Sequence, residues 1–233
     1  MYINQFDIYI NGNFFVSGYL FYKFVRSLYN EKRRKEERNK KCCMKQESKV
    51  GYRDIFRQTE YMKIMIEDIY ALPEGERAEL IDGQIYYMSP PNTRHQRISS
   101  ILSRKIGNYI DDNKGKCEVF AAPFAVYLDE KTNTYVEPDV SVICDSDKLD
   151  DRGCKGAPDW IIEIVSPSSR RMDYYTKLFK YRTAGVREYW IVDPTKNQIM
   201  VYDFENEDTE QYTFQDSVKV GIYEDLRIDF TEM

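Results

Sequence analysis

Histidine is almost missing from this chain: 233 residues contain one, His95. That excludes the HExxH metalloproteases and any site built on several imidazoles. A metal in this protein would be held mainly by carboxylates, which favours Mg²⁺ or Mn²⁺ over zinc. The five cysteines, Cys42, Cys43, Cys117, Cys144 and Cys154, show no CxxC spacing. An odd count without that spacing looks neither like a disulfide framework nor like a zinc site, and a reducing cytoplasm is the expected setting. No run of about 18 apolar residues occurs, so no membrane span is expected. Bulk positive charge is absent as well. The net charge of −5 and pI of about 5.2 argue against a protein that coats nucleic acid, though not against an enzyme with a local basic groove around an acidic site.

What remains is the composition of a soluble domain, with 42% hydrophobic and 31% charged residues. Residues 1–51 differ from the rest. Phe6 to Tyr29 is aromatic-rich but interrupted by polar residues, and Glu31 to Lys49 carries nine Lys/Arg against four Glu. They are expected to form a charged extension that contributes little to the core, and 52–233 the main domain. A signal peptide is not expected, because the positive charge follows the apolar region instead of preceding it.

From Tyr52 the pattern is that of a mixed α/β domain. Tyr61 to Leu72 has helical apolar spacing. Ala78 to Met88 reads as strand, Asp-Gly turn, strand. Thr93 to Asp111 places Ile98, Ile101, Leu102, Ile106 and Ile110 on one helical face. Cys117–Leu128, Pro138–Cys144 and Trp160–Val165 read as strands, and Asp173–Thr183 as a helix. Glu188–Asp193 and Gln198–Phe204 read as a second hairpin, with β structure continuing beyond Gln211.

Two of those strands carry an acid among apolar neighbours: Asp139 in Val136-Glu137-Pro138-Asp139-Val140 and Glu163 in Ile161-Ile162-Glu163-Ile164-Val165. An ionised carboxylate among buried aliphatics is costly unless it is paired or bound to a metal. Two such groups on adjacent strand ends can converge on one hard cation, which can polarise a phosphate and activate water. The alternative is that Glu163 pairs with a buried Lys or Arg and does no chemistry. A second Pro-Asp pair, Pro158-Asp159, competes with Pro138-Asp139. Asp159 and Glu163 lie four apart along one strand, about 13 Å at ~3.3 Å per residue, too far for one cation, whereas a neighbouring strand is ~4.8 Å away. Asp139 is therefore preferred, with Asp159 as a strand-entry residue. Ser166, Ser168, Ser169, Arg170 and Arg171 follow Glu163 and could contact phosphates. Serine also caps helices, a role expected here of Ser168 or Ser169.

AELIDGQIYYMSPPNTRHQRI, EPDVSVIC, GAPDWIIEIVSPSS and DYYTKLFKYRTAGVREYWIVDP occur in this order between about Arg77 and Tyr202. Together they resemble the Uma2 family of restriction-endonuclease-like proteins. The resemblance implies the PD-(D/E)xK fold, a central mixed β-sheet flanked by helices, and a Mg²⁺- or Mn²⁺-dependent endonuclease acting on DNA. Asp139 matches the Asp of the PD motif, Glu163 the acid of the second motif, and Glu79 an acid from the N-terminal part of the fold. These three are the expected metal ligands. The lysine of the parent motif, two residues after the second acid, is here Val165. Lys177 matches the family's D-x-x-x-K lysine and is expected to replace it, with Asp173 holding its ammonium from one turn away. Tyr174, Leu178 and Tyr181 are read as core. His95, Ser166 and Arg170 are the expected substrate contacts, His95 either orienting a phosphate or serving only at the helix start. Homodimerisation is left open. The rival readings are a non-catalytic binding protein with this fold, favoured by the missing strand lysine, and a phosphodiesterase acting on RNA or a small nucleotide.

Overall fold

The structure, a computed structural model, describes residues 65–129 and 133–233. The expected extension over 1–51 lies outside the described residues. The expected helix over 61–72 enters them only at Met65, where it forms α1, Ile66–Tyr70.

The first strands are β1 (Ala78–Ile81), β2 (Gln84–Tyr87), β3 (Glu118–Ala121), β4 (Val126–Asp129), β5 (Thr134–Val136), β6 (Val140–Ile143) and β7 (Leu149–Asp150). Then come β8 (Gly153–Lys155), β9 (Trp160–Ile164), β10 (Glu188–Asp193), β11 (Gln198–Asp203), β12 (Asp208–Thr213), β13 (Ser217–Lys219) and β14 (Arg227–Asp229). One sheet has the order β2-β1-β5-β4-β8-β7, a second the order β12-β11-β10-β9-β6-β3, and β13-β14 form a hairpin of their own. Both large sheets are mixed: β9 runs parallel to β10 and β4 parallel to β8, while their other neighbours are antiparallel. The expected mixed α/β fold is thus present, with its strands divided between two sheets.

Local chemistry accounts for the elements that carry the site. Ile81 pairs with Gln84 across a two-residue turn, Asp82-Gly83, both at positive φ (52° and 75°). That left-handed pair matches the twist of a tight hairpin and suits Asp-Gly. Helix α2, Thr93–Asp112, begins where the Asn92 side chain accepts the His95 N–H at 3.0 Å. Its stripe of Ile98, Leu102, Ile106 and Ile110 packs on Val140, Val142, Trp160, Ile162, Ile164 and Trp190 of the second sheet. The alternate residues Ile161 and Val165 pack on the other side, against Tyr181, Tyr189 and Ile191. Strand β9 is therefore buried on both faces, as its nearly continuous apolar run requires. Each aliphatic side chain so buried contributes roughly 1.5–3 kcal/mol.

Three expectations need revision. Cys117–Leu128 is not one strand: β3 and β4 belong to different sheets, separated at Ala122-Pro123, where proline cannot donate to a ladder. The helix expected over 173–183 begins as a π-helical turn, Met172–Lys177, and only then becomes α3, Leu178–Ala184, ending at Gly185 with φ 94°. The cysteines are not all unpaired. Cys117 and Cys144 form a disulfide, because they fall opposite one another just beyond the β3–β6 pair Glu118↔Ile143. Among the described residues Cys154 is free and buried.

Candidate active site

Glu163 sits between Ile161 and Val165 on the side of β9 that faces away from α2. It is only 4% exposed, yet it is not isolated. Its Oε1 accepts hydrogen bonds from the Lys177 ammonium at 2.8 Å and the Tyr181 hydroxyl at 2.6 Å. The same ammonium donates to Glu79 Oε1 at 2.8 Å, and that oxygen also accepts the Glu137 backbone N–H at 3.0 Å. Glu79 comes from β1 in the first sheet, Glu163 from β9 in the second, and Lys177 from the π-helical turn. One buried cation thus links two sheets and a helix.

Asp139 lies one residue before β6, whose Val140 pairs with Ile162 of β9, so it approaches Glu163 from the neighbouring strand as expected. Its Oδ2 accepts the Ile164 N–H at 2.7 Å and stands 3.1 Å from His95 Nε2. Asp159 has the other role expected of it. It accepts the Cys144 N–H at 2.8 Å and pairs with Arg187, tying strand entries together.

Glu79, His95, Asp139, Glu163, Asp173 and Lys177 line one cleft of about 600 Å³, together with the segments Tyr86–Asn92 and Ser166–Ser169. The cleft therefore gathers four carboxylates and two basic groups. Burial opposes charge on Lys177, but Glu163, Glu79 and Asp173 outweigh it and hold the ammonium charged well above the ordinary lysine range. Burial also pulls the His95 pKa down, and its hydrogen bond to Asp139 and the charge there reverse the sign, leaving it raised. With acids in excess, burial lifts Glu163 well above the usual carboxylate range despite Lys177. Burial likewise lifts Asp173 to about 6, although Lys177 and Ser169 oppose the shift.

Asp173 does not hold the Lys177 ammonium, contrary to expectation. The hydrogen-bond partners of Lys177 are Glu79 and Glu163, and Asp173 Oδ1 is buried with no hydrogen-bond partner. The wide π turn sets both side chains inward without making them partners. The expected serine cap also moves. Ser166 Oγ accepts the Ser169 N–H at 3.1 Å while Ser169 Oγ accepts the Ser166 N–H at 3.0 Å, a reciprocal cap with Ser166 at its head. Arg170 turns to Asp193, at 3.1 Å, and does not line the cleft. Tyr181 is more than core, since its hydroxyl holds Glu163. Its position four residues after Lys177, on the same helical face, was the available signal.

A divalent cation fits the chemistry of this donor set. The surplus of negative charge, the exclusively oxygen acid ligands and the unpartnered Asp173 Oδ1 suit a hard ion. The three expected ligands do not close on one point as they stand. Among the described residues no group of three or more His, Cys, Asp or Glu side chains is arranged to hold a metal. Glu79 is engaged by Lys177 and the β5 end, so Asp139 and Glu163 are the pair left to coordinate.

Comparison with known proteins agrees with this geometry. A crystallised protein from Anabaena variabilis, described as a "putative nuclease belonging to DUF820", superposes with a TM-score of 0.60, covering 72% of this chain and 96% of that one at 22% identity. At that identity the likeness shows the fold alone. Two uncharacterized proteins of Synechocystis sp. are 31% and 30% identical over 130 and 121 residues, 55% and 51% of this chain and 67% of each relative. Residues 66–230 match the model of a family described as "Putative restriction endonuclease", a match that continues through the tail beyond Phe204, where no resemblance was expected. The chain therefore belongs to the Uma2 family.

Proposed function

We propose that the protein is a metal-dependent endonuclease that hydrolyses phosphodiester bonds in DNA, with Mg²⁺ or Mn²⁺ held by Asp139 and Glu163. The observation that carries this reading is the buried Glu79–Lys177–Glu163 bridge opening on the same cleft as Asp139. A bound divalent ion would supply Lewis acidity and a more acidic water. The chain's own groups do the rest. Glu79 anchors the ammonium, which keeps a fixed positive charge beside Glu163, where negative charge builds on a phosphate under attack. Tyr181 and Lys177 both take Oε1 of Glu163, leaving its other oxygen for the ion. His95, bonded to Asp139 through Nε2, fixes the orientation of that carboxylate. Ser166 lines the cleft beside these groups, within reach of a phosphate there. A cytoplasmic location belongs to the same proposal and carries a condition, since the Cys117–Cys144 disulfide would there meet a reducing environment.

The test is nicking of supercoiled plasmid in Mg²⁺, Mn²⁺ or EDTA by wild type, Glu163→Ala and Lys180→Met. Cleavage that needs the ion, falls on the order of 10²-fold or more in Glu163→Ala and survives Lys180→Met is expected. Equal nicking by wild type and Glu163→Ala would sink the proposal. One observation favours a second reading, a non-catalytic binding protein: Lys177 already neutralises two of the three expected ligands. Calorimetric titration with Mn²⁺ separates the two, because the non-catalytic reading predicts no binding that depends on Asp139.

A further inference from the structure

The reactive groups of the proposed nuclease are deep. Glu163 is 4% and Lys177 5% exposed, at the bottom of a cleft of about 600 Å³. That volume suits a small ligand. It accommodates one nucleotide, whereas a phosphate in an intact duplex is backed by its second strand. Chemistry on a nucleotide in such a pocket requires that nucleotide to leave the helix or to come from an unpaired strand.

The surface beside the cleft points the same way. The helix that sends Lys177 inward sends Tyr175 and Phe179 outward, 72% and 64% exposed. Four residues apart on one helix, the two rings are neighbours. Met172, one turn before Tyr175, lines the cleft, so the ring pair continues from its mouth. Tyr87, 47% exposed, also lines the cleft. Exposed large rings grouped in this way mark an interaction surface more often than chance. Between 171 and 183 the one acid, Asp173, is buried, while Arg171 and Arg182 are exposed. Duplex binding draws its affinity from many phosphate contacts, which a chain of net charge −5 is poorly equipped to supply. Single strands bind instead through bases stacked on aromatic rings, with a few cations tracking the backbone.

We propose that the substrate is single-stranded nucleic acid, with one nucleotide in the cleft and the adjoining bases stacked on Tyr175 and Phe179. The inference rests on the proposed nuclease reading for the identity of the substrate, but strand binding can be measured without cleavage. A fluorescein-labelled oligothymidylate of about 20 nucleotides and a duplex of equal length are titrated with the full chain in EDTA, with anisotropy as the readout. Expected is a single strand bound about 10-fold or more tighter than duplex at one salt concentration. Replacing both rings (Tyr175→Ser with Phe179→Ser) should weaken it by about 10-fold or more, while Tyr70→Ser, an exposed tyrosine outside the cleft, should not. Equal affinity for strand and duplex, or undiminished binding by the double variant, overturns the proposal. So does a wild-type dimer in sedimentation that the double variant dissolves, since the rings would then belong to a second copy. Hydrolysis of bis(4-nitrophenyl) phosphate by wild type with Mn²⁺ isolates the other failure. Strand binding without diester hydrolysis removes the nuclease reading and keeps this one, and hydrolysis without strand preference does the reverse.

Discussion

Strand β9 turns two different interiors to its two sides. Toward α2 it presents Trp160, Ile162 and Ile164 to Ile98, Leu102, Ile106 and Trp190, an apolar layer. Toward the π-helical turn it presents Ile161, Glu163 and Val165, and there the packing surrounds two acids, an ammonium and two tyrosine hydroxyls. The backbone, the strand pairing and the depth are shared. The α2 side gains stability from every contact. The other side keeps carboxylates whose burial costs free energy, and places them at the end of a cleft. The contrast separates what holds the domain together from what the domain is arranged to do.

The largest test of that contrast is Lys177→Met. Removing the cation leaves Glu79 and Glu163 buried without compensation, which costs about 3–5 kcal/mol. Urea unfolding should show that loss, and plasmid nicking should fall by about 10² or more in the same variant. A fully stable Lys177→Met protein would mean that the acids are already neutral and that the two faces differ less than their residues suggest.

Next is Ile106→Ala on the apolar side, expected to cost about 2–5 kcal/mol in the same unfolding experiment. Activity per folded molecule should stay at the wild-type level. Loss of activity beyond the loss of folded protein would show that the α2 layer positions the site directly.

Asp173→Asn should act in the opposite direction. The folded state lifts this carboxyl to about 6 from an ordinary value of 3.8. Its stabilising contribution is therefore present below the unfolded value and is lost as pH rises through the folded one. A gap of that size corresponds to about 3 kcal/mol. The variant should be more stable than wild type above pH ~6, with the gain fading toward pH ~4. A melting-temperature difference that does not change with pH would remove burial as the cause.

The smallest expected effect is Tyr181→Phe. It deletes one hydrogen bond to Glu163 Oε1 and leaves the ring against Tyr189. Stability should fall by about 1–2 kcal/mol, while the apparent Mn²⁺ affinity in calorimetry weakens. Unchanged metal affinity would return Tyr181 to a packing role.

How far the sequence foretold this arrangement depended on the range of the interaction. Turns and helix faces are local, so Asp82-Gly83 and the Ile98–Ile110 stripe were legible from residue type and spacing. Glu163 was legible because a charge among aliphatics violates the burial rule and demands a reason. Asp139 could be chosen over Asp159 by strand geometry alone. Glu79 and Lys177 were reachable only through family resemblance, since 98 positions separate two groups that touch. The Asp173–Lys177 pairing was misassigned because the four-residue rule presumes an α-helix and the turn is π. The Cys117–Cys144 bond escaped because it follows from the pairing of β3 with β6, which no cysteine spacing encodes.

The wide turn over Met172–Lys177 has one more consequence. A π-helical turn is an α-helix that accommodates an extra residue. Taking one residue out of 174–176 would restore the regular repeat and swing everything beyond it by about 100°. Lys177 and Tyr181 reach the same oxygen of Glu163 from this segment, so a shortened turn could not serve both as they now stand. Substitutions at exposed Tyr175 leave the backbone path intact, whereas loss of a single residue there would dismantle the grip on Glu163. The segment should therefore tolerate changes of residue far better than changes of length.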